Sequence, residues 1–165
     1  MGRWRPPPVA SSPYITPDGA AALKSELKEL WGKVRPEVVR ALSDAAAEGD
    51  RSENAEYIYR KKQLGEIDRR IRYISKRLDV IEVVDRLPED PSVVRFGAFV
   101  RLKDKDDQTV EYRIVGADET SAEKNWISVD SPVARGLLGK QKGASVKVEL
   151  PQGQRRLKII KVSYR

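Results

Sequence analysis

A chain of 165 residues, 39% hydrophobic and 35% charged, has the length for one domain or two small ones and the composition of a soluble protein with a large surface. It contains no cysteine and no histidine, which excludes disulfides, thiolate chemistry, the usual zinc sites and any histidine general base. A formal net charge of +7 points to a polyanionic partner such as nucleic acid, and no apolar run approaches the roughly twenty residues of a membrane span.

Residues 1–13 are rich in Pro, Arg and Ser and lack an apolar core, so they read as a disordered tail rather than a secretory signal. Thr16 with Pro17 behind it has the form of an N-cap and first helical position. Apolar residues then recur as Leu23, Leu27, Leu30, Val34, Val38 and Leu42, the stripe of a coiled-coil helix running to about Glu48. Pro36 interrupts this pattern and should kink the helix or break it near Arg35. Ala41, Ala45, Ala46 and Ala47 thin its far end, and Gly49 is the expected C-cap.

After the turn Glu48-Gly49-Asp50-Arg51-Ser52-Glu53-Asn54, a second stripe appears at Leu64, Ile67, Ile71, Ile74, Leu78 and Ile81. Two stripes of similar length joined by one glycine-containing turn predict an antiparallel helical hairpin over residues 14–86. At about 1.5 Å per residue, arms of roughly thirty residues make a rod on the order of 45 Å long, with no pocket of its own. Chemistry would therefore sit at the tip.

The tip reverses the charge of the chain. Asp44, Glu48, Asp50, Glu53 and Glu56 face one Arg51, a local balance of −4. One reading is a capping box, in which Asp50 bonds the backbone near position 53 and Glu53 reaches back. The other is an incomplete metal site: two carboxylates three residues apart, completed by water, phosphate or a second protein, as Mg²⁺ permits. With no histidine or thiolate available, oxygen donors confine the choice to Mg²⁺, Mn²⁺ or Ca²⁺. The two readings are compatible, since a fixed turn also aims its carboxylates.

The second arm is the opposite. Arg60, Lys61, Lys62, Arg69, Arg70, Arg72, Lys76 and Arg77 stand against Glu66 and Asp68, a net +6 within eighteen residues. Helical i, i+4 pairing is too sparse to absorb them, and a basic stripe of this kind contacts phosphates with little sequence information. Tyr57, Tyr59 and Tyr73 are placed either to stack on a base or to pack across the hairpin.

Residues 87–92 form a proline-containing linker. Beyond it, strand-like alternation at 96–102, 109–115, 126–129, 145–150 and 157–162 surrounds one short helix, with Ser131 as N-cap and Pro132 at its first position. This predicts a small α+β domain over 93–165, with turns at 104–108 and 151–153.

The segment GDRSENAEY (Gly49 to Tyr57) resembles the signature of the Gre transcript-cleavage factors of bacterial RNA polymerase. RPEV at Arg35 to Val38 and EIDRRIRYISKRL at Glu66 to Leu78 are similar to the GreB branch. The likeness continues through RIVG at Arg113 to Gly116 and ISVDSPVARGLL at Ile127 to Leu138, covering about residues 14 to 165. The resemblance implies an FKBP-like fold for the second domain and a monomeric, cytoplasmic elongation factor whose hairpin enters the polymerase's secondary channel. It implies that Asp50 and Glu53 are the acids that help hold the second catalytic Mg²⁺ and its attacking water, the ion being shared with the polymerase. Arg51, Ser52 and Asn54 would contact RNA or brace the turn, and the basic face would meet the 3′ segment of the nascent RNA.

Asp130, Ser131 and Pro132 match the stretch with which the family's second domain grips the coiled coil at the channel rim; taken alone, Asp130 and Ser131 read as the start of a helix. Prolyl isomerisation, the other activity of such a fold, is disfavoured, because Phe96, Phe99, Tyr112, Trp126 and Tyr164 are no more aromatics than a core needs. The expected function is thus stimulation of the polymerase's own RNA cleavage, by a factor that lends carboxylates and is not itself an enzyme. The alternatives are a channel-occupying inhibitor of the same architecture and a hairpin that only binds nucleic acid.

Overall fold

The computed structural model describes residues 10–150 and 152–165. The first nine residues of the expected tail, and Pro151 of the expected turn, lie outside them. Among the described residues no helix is long and apolar enough to cross a membrane. The chain divides into two compact units, one of residues 20–81 and one of residues 82–165 together with the stretch up to Gly19.

The first unit is a helical hairpin. Its first arm is α1 (Pro17–Glu29), a π-helical turn (Leu30–Val34) and α2 (Arg35–Ala47). Pro36 does not break it. The Arg35 N–H donates to the Leu30 carbonyl, five residues back, and this widened turn stands immediately before the proline, which has no N–H of its own to give. The return arm is one uninterrupted helix, α3 (Ala55–Val80), packed against α2.

The stripes read from the sequence are the faces these helices cover. Leu23, Val38 and Ala45 are buried on the first arm and Ile67 and Ile74 on the second. The stripe positions between them are half-buried, as expected when two helices have only each other to pack on. Two ion pairs tie the arms: Arg35 Nε to Asp68 at 2.8 Å, and Arg70 to both oxygens of Glu26 at 2.7 and 2.9 Å. The Arg70 hydrogen bond is the chief reason the Glu26 carboxyl lies below its ordinary range. Both pairs are partly exposed, so solvent screens them and they contribute little beyond fixing the register of the arms.

The second unit is a five-stranded mixed sheet in the order β5-β4-β3-β7-β6, formed by β3 (Phe99–Lys103), β4 (Thr109–Val115), β5 (Trp126–Ser128), β6 (Ser145–Leu150) and β7 (Gly153–Ser163). All neighbours are antiparallel except β4 and β5, and a bulge opposite Arg101/Leu102 shifts the β3–β7 register. The short helix α4 (Pro132–Leu137) covers one face, where Ala134 and Leu137 join Val100, Leu102, Ile114, Val148 and Ile159 in the core.

The boundary of the hairpin differs from the expected 14–86. Residues 14–19 and 82–86 group with the sheet unit, where β1 (Tyr14–Ile15) and β2 (Glu82–Val83) pair in parallel. Ile15 is fully buried. Thr16 is held by Glu119, whose carboxylate accepts from the Thr16 N–H at 3.0 Å, from the Thr16 hydroxyl, and from the Gly116 N–H at 2.8 Å. The Thr16 oxygen in turn accepts from the Gly19 N–H at 3.1 Å, which makes it the cap anticipated for α1. Ser12 and Pro13, assigned to the tail by composition, are bonded as well: the Ser12 N–H donates to Asp130 at 2.8 Å, and the Pro13 carbonyl accepts from Glu82 N–H at 2.8 Å.

Candidate functional site at the hairpin tip

The turn between α2 and α3 is built by three residues with distinct jobs. Glu48 ends α2, its N–H donating to the Ala45 carbonyl at 3.2 Å. Gly49 follows at φ +142, a backbone conformation that residues with a Cβ rarely adopt. Nothing lies within 4 Å of where a Cβ on Gly49 would point, so the backbone angle, not space, requires the glycine. Asn54 then starts α3: its Oδ1 accepts from the Tyr57 N–H at 3.1 Å, while its Nδ2 donates to the Ala45 carbonyl at 2.7 Å. One side chain thereby caps the second helix and fastens it to the end of the first.

This arrangement corrects the capping-box reading. Asp50 does not cap α3. Its Oδ1 accepts from the N–H and the hydroxyl of Ser52, at 2.9 and 2.8 Å, closing a small turn of its own. Glu53 precedes the cap and is exposed. The helix start is already satisfied by Asn54, so capping leaves both acids unaccounted for. Asp50 is held for the anion: the Ser52 backbone N–H, and then its hydroxyl, lower the carboxyl's pKa below the usual aspartate value.

A pH test follows. Ser52→Ala removes the hydroxyl donor and keeps the backbone one, so the Asp50 pKa should move part of the way back up, as read from its carboxyl ¹³C shift against pH. An unmoved titration would mean that the hydroxyl does not hold the charge.

Beside the tip, Arg51, Ser52, Tyr57, Ile58, Lys61, Lys62, Gly65 and Arg69 line an open groove along α3. Arg51 lies over the Tyr57 ring, 5.7 Å from its centroid. Of the eight basic residues singled out on this arm, Arg60 and Arg70 are engaged in ion pairs, with Glu56 and Glu26 respectively, and their guanidinium groups lie over Tyr59 and Tyr73. Arg77 is half-buried in the last turn of α3. Lys61, Lys62, Arg69, Arg72 and Lys76 are exposed and in no ion pair among the described residues. The local field is therefore an acidic turn next to a cationic groove. Ile58 and Gly65, which were not singled out from the sequence, lie three or four residues from the cations that were, Ile58 from Lys61 and Lys62 and Gly65 from Lys61, Lys62 and Arg69.

In the second unit, Ser131 caps α4 through the Ala134 N–H at 3.2 Å, as its place before Pro132 suggests. The Asp130 N–H donates to Ser128 Oγ at 3.0 Å, and its half-buried carboxylate takes the Ser12 N–H. Pro132 is exposed.

Two family models match the chain: the N-terminal domain of transcription elongation factors over residues 13–83, and the GreA/GreB C-terminal domain of such factors over residues 88–164. Transcription elongation factor GreB of Xanthomonas axonopodis pv. citri is 57% identical over 99% of this chain and 98% of its own length. The protein of that name from Pseudomonas aeruginosa is 52% identical over 99% and 98%. A solved GreA/GreB factor of Nitrosomonas europaea matches 93% of the chain and 100% of its own at 21% identity, with a TM-score of 0.43.

Proposed function

The chain belongs to the GreA/GreB family of transcription elongation factors, and from that premise we propose that it enters the secondary channel of bacterial RNA polymerase and stimulates the polymerase's own cleavage of backtracked RNA. The observation that carries this reading is the division of labour at the tip. Asn54 does the structural work, and two exposed carboxylates are left presented, one of them held in its ionised form by Ser52.

The two acids fit Mg²⁺ by their chemistry. Both are hard oxygen donors, and Mg²⁺ is commonly bound by one or two protein carboxylates with the rest of its shell from elsewhere. Among the described residues no three acidic side chains gather into a metal site, so Asp50 and Glu53 are a partial shell that the polymerase active site would complete. When held there, the ion supplies positive charge at the scissile phosphodiester. The chain's own residues do the positioning: Gly49 permits the turn, Ser52 orients Asp50 and favours its anion, and Asn54 fixes the start of α3 directly after Glu53. In this scheme the factor is an accessory to a cytoplasmic enzyme, and the sheet unit, read as FKBP-like, docks on the channel rim through Asp130, Ser131 and Pro132.

The deciding experiment is incubation with a stalled, backtracked elongation complex carrying end-labelled RNA. Shortened RNA that regains extension is expected. Slowed synthesis with full-length RNA would make the factor an inhibitor instead.

The cationic groove has its own expected result. Lys61, Lys62 and Arg69 neutralised together should impair cleavage of complexes backtracked by many nucleotides more than those backtracked by two or three. Only the longer extruded RNA reaches along α3, and losing three single-strand phosphate contacts flattens the logarithmic salt dependence by about two units. Equal impairment at both lengths with an unchanged slope would assign these cations to another task.

A further inference from the structure

The π turn of the first arm carries a feature that the tip does not use. Trp31 stands on that turn with 61% of its surface exposed. It lines a shallow groove with Leu27 of α1 and Ile71 of α3, bordered by Lys24, Lys28 and Ser75. The floor is aliphatic. Lys24 and Lys28 are exposed like charges one helical turn apart, and no ion pair among the described residues neutralises either. The tryptophan is backed by Arg35, whose guanidinium lies 5.5 Å from the ring centroid and is itself fixed by Asp68 at 2.8 Å.

We infer that this groove is a docking site for an acidic protein segment of the polymerase, one that inserts a bulky apolar side chain between two carboxylates. The inference rests on the proposed polymerase partnership and goes beyond the tip and the second unit. Charge complementarity selects the flanks of the occupant: two lysines without carboxylate partners, on the rim of an apolar floor, are matched by acids around a hydrophobic anchor. The anchor is a side chain rather than a nucleobase because the floor beside the tryptophan is made of Leu27 and Ile71, which offer aliphatic contact and no hydrogen-bond partner for a base edge, while Arg35 lies against the Trp31 ring. π turns interrupt helices at functional positions more often than elsewhere, and here the widened turn is what bears Trp31.

The test uses the full chain with polymerase in a backtracked complex. Trp31→Ala, and separately Lys24→Glu with Lys28→Glu, should raise the factor concentration for half-maximal cleavage by about tenfold, the usual consequence of losing an interface tryptophan. The cleavage plateau should be unchanged. All three residues are exposed, so the variants should fold, as a far-UV spectrum checks. A photo-crosslinker at Ser75 should join a polymerase peptide containing adjacent acidic and bulky apolar residues. Crosslinking to RNA or to a second copy of this chain, or half-maximal concentrations unchanged in both variants, would overturn the inference while wild-type cleavage persists. Absence of cleavage with the unaltered chain would instead overturn the function on which it rests.

Discussion

Asp50→Asn and Glu53→Gln should each reduce stimulated RNA cleavage on the order of a hundredfold, the scale on which a preorganised charge at a reacting centre acts, while polymerase affinity should stay within about twofold of its starting value. The substitutions separate charge from shape. An asparagine at position 50 keeps an oxygen able to accept from the Ser52 N–H, so the turn survives. The start of α3 is indifferent to either change, because Asn54 and not Asp50 caps it. What is lost is the anion that a hard cation requires. Combining the two substitutions should cost less than the product of the single losses, since residues acting on one ion work as a unit. Labelled-RNA cleavage at saturating factor gives the first quantity and competition for polymerase the second. Near-normal cleavage in both variants, with a lowered unfolding temperature, would make the acids structural.

Local pattern carried most of the architecture. The stripes from Leu23 to Leu42 and from Leu64 to Ile81 were legible because a helix's apolar period is set by near neighbours, and the faces they name are those the hairpin covers. The strands of the second unit showed the same way. What stayed hidden was non-local or below the length of a pattern. In the sequence Arg70 has Glu66 four residues before it as the obvious partner, yet the carboxylate it bonds is that of Glu26, 44 residues away on the other arm. β1 and β2 are two residues each, too short to alternate visibly. The π turn is a change of hydrogen-bond register, and Pro36 announces that something must give without saying what.

At the tip, the spacing of Asp50 and Glu53 matched a capping box, and nothing in the sequence alone preferred Asn54. In the fold Asp50 bonds Ser52 instead, and the helix starts only at Ala55 with Asn54 as its cap. Asp50, Glu53, Lys61, Lys62 and Arg69 were singled out from the sequence by charge and spacing, and Ser131 was read there as the cap that α4 has. Trp31 was not singled out, because it lies off the apolar stripe.

The second large effect is expected far from the tip in sequence, at Gly116. The two-residue strand β1 lies against it so closely that a Cβ there would run into the Tyr14 carbonyl oxygen, with Glu119 Oε2 at 3.0 Å and Ile15 Cα at 3.3 Å. Two of these neighbours are backbone, which cannot swing aside as a side-chain end can. Gly116→Ala therefore has to displace the segment that buries Ile15 and Thr16, at a cost of about 3 kcal/mol in the range of overpacking. For a unit of this size that lowers the unfolding temperature by roughly 10 °C or more, measurable as a shift of one calorimetric transition. Glu119→Gln should cost less, because the one amide oxygen can still accept from the Thr16 and Gly116 N–H groups, although the charge and the second acceptor oxygen are lost. The same displacement would take the Ser12 N–H away from Asp130, so the factor concentration for half-maximal cleavage should rise while the plateau, set by Asp50 and Glu53, holds. An unfolding temperature matching that of the unaltered chain would show that β1 yields freely, and that Glu119 rather than the close approach at Gly116 keeps it in place.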